Sequence, residues 1–573
     1  MEAVVITPGR VSQPLAEVPT NTTVLSGDAL RSTGSQTVDD ALRHVPGFSL
    51  FRRSSSLVTH PTTQGVTLRG IGPSGTSRTL VLLDGVPQND PFGGWVYWSK
   101  LPRETIERVE IVRGGGSDAW GNAALGGVIH LVTEAPTERR LRLRASGGSR
   151  ETWDVEAAAR EVRGPFHLEL GGSGFDTGGY PVVRSGPRGP IDEDASSEHQ
   201  AFRGRTGYAL SDAVDLSLRG GFFHEERENG TPLAENETDA GDVAATMDVR
   251  TADLGDWRLL AYAQLQTFSS TFTSASPDRT TETPALDQFD VPSTGIGASL
   301  AWNREIGGGH RLGAGGDFRG VDGETNEDFR FLEGRFQGRR KAGAEQQLFG
   351  GFAHDAWSLA PGLVLTLGGR VDFWRSFDAF RRERSLIDGT ETRNDRFDDE
   401  DEVAFSPKVG LAWRFAEPWS ARAAFYRAFR APTINEQVRP FRVRNDITEA
   451  NAGLEPEILT GGEAGLDFTA TEVFARVTGF WSEIDEPIAN VTIGEGPGPV
   501  VPCGFVPEGG VCRQRQNLGR TRIRGVEAEA AWSPLPPWRL GVSYLFDDAE
   551  VVDAPNGREL EGKRLAQVPR HQV

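Results

Sequence analysis

From Pro136 onward the chain alternates polar and apolar residues with a period of two, and this alternation, sustained almost to the last residue, limits the fold more than any other feature. It is seen in Leu141-Arg-Leu-Arg, Phe166-His-Leu-Glu-Leu, Val214-Asp-Leu-Ser-Leu-Arg, Trp257-Arg-Leu-Leu-Ala-Tyr-Ala-Gln-Leu, Leu363-Val-Leu-Thr-Leu and Val473-Phe-Ala-Arg-Val. The pattern predicts about eighteen strands and no helix of consequence. The connections alternate as well. Short ones at 211–212, 307–309, 360–362, 417–418 and 534–537 take turns with long polar ones at 177–198, 225–242, 381–402, 432–457 and 494–515. A propeller would repeat a motif every 40 to 50 residues or so, and none is found. Stacked sandwiches have no need of connections that alternate in length, whereas a transmembrane antiparallel β-barrel pairs tight periplasmic turns with long outside loops. The pattern favours the membrane barrel over a large soluble all-β protein.

The 573 residues exceed one ordinary compact domain, and residues 1 to about 137 read differently from the rest. Short strands at 66–68, 80–83, 109–112 and 128–132 mix with a helical stretch at 37–45, which predicts a small α+β unit. The 70 glycines fit a chain of many turns and strands. No run approaches the roughly 18 to 20 apolar residues of a membrane helix, and a mean hydropathy of −0.40 agrees. A barrel keeps a low average because only alternate residues meet lipid. With 61 basic against 81 acidic residues, a net charge of −20 argues against a nucleic-acid partner. Only Lys100, Lys341, Lys408 and Lys563 are lysines, so the positive side is nearly all arginine.

Little in the sequence suggests catalysis. Gly70-Ile-Gly-Pro-Ser-Gly75 has the spelling of a dinucleotide loop, but a strand and not a helix follows it. The nine histidines are scattered without metal-ligand spacing, and no Gly-x-Ser-x-Gly elbow occurs. The expectation is no enzyme, no metal and no cofactor. Cys503 and Cys512 share one Pro/Gly-rich connection and read either as a loop-closing disulfide, which needs an oxidising compartment, or as two thiols. If the first 137 residues fill the barrel, their charges need partners on its wall, and Arg69 and Arg113, each ending a strand before Gly, are candidates.

The motifs resemble those of the TonB-dependent outer-membrane receptors, a family with a plug domain inside a barrel of about 22 strands. The plug phrases are Thr37-Val-Asp-Asp-Ala-Leu-Arg-His-Val-Pro-Gly47, Val66-Thr-Leu-Arg-Gly70, Leu80-Val-Leu-Leu-Asp-Gly-Val86, Ile106-Glu-Arg-Val-Glu-Ile-Val-Arg-Gly114 and Trp120-Gly-Asn-Ala-Ala-Leu-Gly-Gly-Val-Ile129. The barrel phrases are Phe429-Arg-Ala-Pro-Thr433, Asn451-Ala-Gly-Leu-Glu-Pro-Glu457 followed by Glu463, Arg524-Gly-Val-Glu527 and Val568-Pro-Arg-His571. Their order is the family's, from the first ten residues to the last.

The resemblance implies a TonB box within residues 1–10, a plug over 11–137 and a barrel over 138–573. Glu2, Ala3, Val4, Val5, Ile6 and Thr7 look like the box, a flexibly tethered segment that adds as a strand to TonB, which with ExbB and ExbD transmits the inner-membrane proton-motive force. Arg69 and Arg113 match the family's plug arginines, and Glu463 and Glu527 its barrel carboxylates, so the four are expected to pair in the lumen. Residues 433–450 hold no His, which disfavours haem. A ferric siderophore is the preferred ligand, with cobalamin or a carbohydrate as alternatives; a passive porin or surface-binding protein is the alternative of another class. Plug apices at 52–64, 72–78 and 87–98 would offer Arg52, Arg53 and Arg78 to an anionic chelate, and Phe92, Trp95, Tyr97 and Trp98 to a flat or apolar one, unless these rings pack on the wall. Outer-membrane lipid and lipopolysaccharide would surround the barrel of a Gram-negative cell. Three departures stand out: Gly115 where Pro is usual, a start at Met1-Glu2-Ala3-Val4 without an export leader, and an end at Val573 before the family's last strands, which suggests a C-terminally incomplete sequence.

Overall fold

A computed structural model describes residues 4–52, 54–72, 74–101, 103–133, 136–535 and 538–573. One antiparallel sheet of 19 strands, beginning at Arg140–Gly147 and ending at His571–Gln572, makes the wall. Neighbours in the sheet follow chain order, and the wall skips residues only between Trp419–Arg430 and Glu457–Thr469 and between Val473–Asp485 and Arg520–Leu535.

Side-chain alternation curves this sheet around its contents. In Val214–Glu228, Leu216, Leu218 and Phe222 are exposed on one face while Arg219, Phe223, Glu225 and Arg227 are buried on the other. Water would not tolerate the outer face, which repeats this pattern with Phe349, Val371, Phe373, Val403 and Phe405 on later strands; hydrocarbon does. Trp257 and Trp302 meet at 6.1 Å, Trp357 stacks on His310 at 4.9 Å, and Trp413 with Phe415 and Trp419 with Phe468 continue a girdle close to the short turns. Aromatic girdles mark the two interfaces of a bilayer, so this rim faces the periplasm.

The strands are longer than alternation alone predicts. Arg335–Ala360 runs 26 residues, against the roughly 9 to 11 that span a bilayer. Polar stretches expected to be loops are largely strand: 225–242 is broken only between Val214–Glu228 and Glu235–Thr251. Above the membrane both faces of a strand are wet, so backbone pairing continues where the two-residue polarity signal has ended. The expected loops 432–457 and 494–515 are also structured. They hold a short helix, Ile434–Val438, and a four-stranded sheet in the order Phe441–Val443, Asp446–Glu449, Val511–Asn517, Ile488–Glu495. A disulfide joins Cys512, on the Val511–Asn517 strand of this outside sheet, to Cys503 in the turn of a neighbouring hairpin, Gly498–Val500 with Gly504–Val506.

The N-terminal unit sits inside the wall. Its five-stranded sheet runs Thr22–Ser26, Arg108–Arg113, Gly127–Val132, Leu80–Leu83, Val86–Pro87, with only the Leu80–Leu83 and Gly127–Val132 pair parallel. The helix Val38–Leu42 lays Val38, Ala41 and Leu42 on Val81, Val109, Ile111 and Ile129 in a core of its own.

Candidate functional site

The junction between plug and wall concentrates buried charge. Arg69 takes a left-handed backbone (φ 52°) that turns its side chain out of the plug, and Gly70 follows at φ 60°. A Cβ on Gly70 would lie 2.1 Å from Asp547 Oδ2, so the turn needs glycine both for its backbone and for the closeness of the wall. Arg69 donates to Glu463 at 2.5 Å and bidentately to Glu527 at 3.1 and 2.9 Å, and it lies 4.6 Å over the Phe480 ring. Burial works against its charge, but the two carboxylates overrule burial and hold its pKa above the ordinary arginine value. Arg113 ends the strand Arg108–Arg113 and pairs with Glu527 at 3.3 Å and Glu529 at 2.6 Å.

The structure thus brings together the four residues that the motifs single out, and it adds partners that the sequence reading missed. Asn21 donates its backbone N–H to Glu463 and its amide to Glu527. Arg422 bonds Glu463 at 3.0 Å and Asp467 at 3.2 Å, and Arg476 bonds Asp467 at 2.8 Å and the Thr22 carbonyl at 2.7 Å. Four arginines (69, 113, 422, 476) pair with four carboxylates (463, 467, 527, 529), and the buried carboxyl of Asp547 lies beside them with neither oxygen hydrogen-bonded. The pairing is what makes burial of so many ions tolerable. The missed residues have a readable signal: Asp467 and Glu529 each lie an even number of residues from a motif carboxylate and therefore face the same lumen.

A second junction corrects the reading of Arg78. It is buried and grips Glu457 at 3.1 and 2.5 Å, while Glu457 also accepts from Arg430 at 2.5 Å. Arg430 in turn holds Glu436 at 2.9 Å, within the capping box that starts the helix Ile434–Val438. Its guanidinium is taken up by the wall and is not open to the vestibule. Further round, Arg219 pairs with Asp84 at 2.5 Å.

The aromatic loop is also corrected. Phe92, Trp95, Tyr97 and Trp98 are all at most 4% exposed. Trp95 meets Phe268 at 6.4 Å and Tyr97 meets Phe223 at 6.3 Å on the barrel wall, and Trp98 meets Phe48 at 6.1 Å within the plug. Apolar rings had a dry wall within reach, and burial there is worth more than contact with a wet vestibule. The loop is closed by Asp90, which accepts from Gly93 N at 2.6 Å and from Gln266 on the wall. Burial pushes this carboxyl up to about 6. Of the expected plug-apex arginines, Arg52 is exposed, 5.4 Å over Phe51, and Arg53 lies outside the described residues.

The N-terminal segment is folded back, not extended and free. Glu2 and Ala3 lie outside the described residues. Val4–Val5 pairs with Gln13–Pro14, and the backbone N–H groups of Ile6 and Thr7 both donate to Glu110 at 2.9 Å. Thr7 Oγ1 donates to Glu110 at 2.6 Å and lies 3.0 Å from His130 Nδ1, while the Thr7 carbonyl accepts from Trp120 Nε1 at 2.7 Å. Burial pushes the His130 ring down to about 4, so it is neutral at pH 7. Gly85 N donates to its Nε2, which leaves the ring proton on Nδ1, facing Thr7. An unpaired strand edge inside a polar lumen finds these partners more readily than it stays extended.

Comparison with known proteins agrees with this architecture. Residues 14–128 match the model of the TonB-dependent receptor plug domain, and residues 176–573 that of the TonB dependent receptor-like β-barrel. The chain is 23% identical to the iron-regulated outer membrane virulence protein of Vibrio cholerae, over all of this chain and 81% of that protein. It is 22% identical to the vitamin B12 transporter BtuB of Photobacterium profundum, over 99% and 88% of the two. The crystal structure of the ferric yersiniabactin uptake receptor FyuA from Yersinia pestis matches with a TM-score of 0.73 at 15% identity, covering 96% of this chain and 82% of that one. With a matched plug seated inside a matched barrel, the chain belongs to the TonB-dependent receptors, Gram-negative outer-membrane transporters that carry ligands and do not transform them.

Proposed function

We propose that this receptor takes up a ferric siderophore at the cell surface and passes it to the periplasm with energy delivered by TonB. The observation that carries the ligand class is the likeness, over the whole of this chain and 81% of the relative, to an iron-regulated outer-membrane protein. Exposed Arg52 at the plug apex suits an anionic chelate. Residues 2–7 are the handle for TonB, and Arg69, Arg113, Glu463 and Glu527 seat the plug against the pull. A corrinoid is the second reading, supported by the similar likeness to a vitamin B12 transporter. Titrating the purified protein with ferric catecholate, ferric hydroxamate and cyanocobalamin, followed by calorimetry, separates the two: saturable heat with a ferric chelate supports the first reading, and heat with cyanocobalamin alone overturns it. Deleting residues 2–7 should abolish cellular uptake of the bound compound and leave its affinity intact.

A further inference from the structure

Two cavities lie between plug and wall along the strands Gly255–Ala275, Glu282–Ile306 and His310–Leu332, and they meet at the same three residues, Pro87, Tyr262 and Arg319. The outer one is small, about 80 Å³, and is bounded by the plug's Thr76 and Asp90 and by Thr433 beside the short helix. The inner one measures about 620 Å³, within the usual size of a ligand site. Asp256, Asn303 and Arg311 line it, and the register Asp256↔Asn303 with Arg311↔Glu305 places these beside the short turns of the periplasmic rim. Tyr262 stands at the junction, flat against the wall over Gly297, where a Cβ would lie 2.5 Å from its ring. Arg319 stands level with Tyr262 across that glycine, in the register Tyr262↔Gly297↔Arg319, and next to them Gln264 holds the plug by donating to the Pro87 carbonyl at 2.8 Å.

The inner cavity is cationic. Eight arginines and six carboxylates line it; Asp84 and Asp317 are also claimed by Arg219 and Arg370 from outside the lining, and Arg108 and Arg311 by Glu110 and Glu17, so the lining's excess of arginine stands. His130 adds no charge at neutral pH. We infer that Tyr262 and Arg319, at the junction of the two cavities, form the gate of a transport route along this sector of the wall, and that the inner cavity is a staging site for an anionic solute before its release to the periplasm. This rests on the transport reading above and adds to it a route, a gate and a charge preference.

The test uses the full-length protein in planar bilayers with potassium chloride as the probe. Tyr262→Ala should open a conductance absent from the parent that prefers chloride over potassium by about tenfold, the scale on which a charged cleft concentrates counter-ions. Ser299, which lines the inner cavity, supplies the second measurement, because the two native cysteines are already bonded to each other. Ser299→Cys should react from the periplasmic side with an anionic methanethiosulfonate about tenfold faster than with a cationic one, and that modification should block the Tyr262→Ala leak. A Tyr262→Ala protein that stays sealed, a leak that survives modification of Ser299→Cys, or faster reaction with the cationic reagent overturns the proposal. Neither measurement needs TonB or the natural ligand. Failure of the transport reading would appear elsewhere, as uptake that survives deletion of residues 2–7.

Discussion

Glu527 accepts from Arg69 and from the Asn21 amide and pairs with Arg113, all away from water. Replacing it with Ala leaves two buried guanidiniums short of a partner, at a cost of about 3 to 5 kcal/mol to the seat of the plug. The expected outcome is faster amide exchange over residues 66–70 and 108–113 with the barrel unchanged, read by mass spectrometry. Asp90 tests a different balance. Burial raises its pKa from 3.8 to about 6, so the folded loop holds the proton more tightly than an opened one. Its contribution is therefore complete below about pH 4 and is lost as pH rises through about 6, to the extent of about 3 kcal/mol. Exchange of residues 88–95, corrected for intrinsic rate, should show opening becoming easier over that window, and Asp90→Asn should remove the dependence. Sequence motifs located Arg69, Arg113, Glu463 and Glu527 because each stands at a fixed place in a phrase. They misplaced Arg78 and the aromatic loop because exposure depends on which wall residue stands opposite, and that is a matter of barrel register.

Among the elements, the folded-back N-terminal segment makes more hydrogen bonds to one carboxylate than to any other side chain. Glu110 receives three hydrogen bonds from Ile6 and Thr7, so Glu110→Ala should release the segment, and a spin label at Val4 should become mobile while the plug sheet keeps its exchange protection. Hydrogen bonds to a charged group are worth about 1.5 to 3 kcal/mol each, enough for the change to be plain. The short helix Ile434–Val438 is fixed from three sides. Asn435 donates to the Phe92 carbonyl on the plug, Gln346 of the wall bonds Gln437, and Arg515 from the outside sheet donates to the carbonyls of Asn435, Glu436 and Arg439. Arg515→Ala should loosen this helix and the Phe92 loop together, seen as a joint rise in exchange over 88–95 and 434–439. Period-two reasoning found the wall strands where one face meets lipid and the other does not. It could not see their wet extensions or this helix, because there the two faces have the same solvent and five residues are too few to show a helical period.

For the molecule as a whole, the tryptophan girdle and the apolar belt fix how the barrel sits in its membrane. Lipids brominated near the headgroup should quench Trp257, Trp302, Trp357 and Trp413 more strongly than lipids brominated near the bilayer centre, in single-tryptophan variants. The plug is gripped around its circumference, by Arg69 and Arg113 on one side, Arg78 next to it and Asp84 further round. The grip formed by Arg69 and Arg113 has a consequence outside the protein. Its four arginines and three of its four paired carboxylates are buried, with Glu529 partly so, and such groups have almost no ion atmosphere to gain or lose, because buried pairs are screened far less than exposed ones. Fresh water and brine should therefore leave the hold on the plug nearly the same, and a cell that carries this receptor between habitats of different salinity keeps its outer membrane sealed without adjusting it.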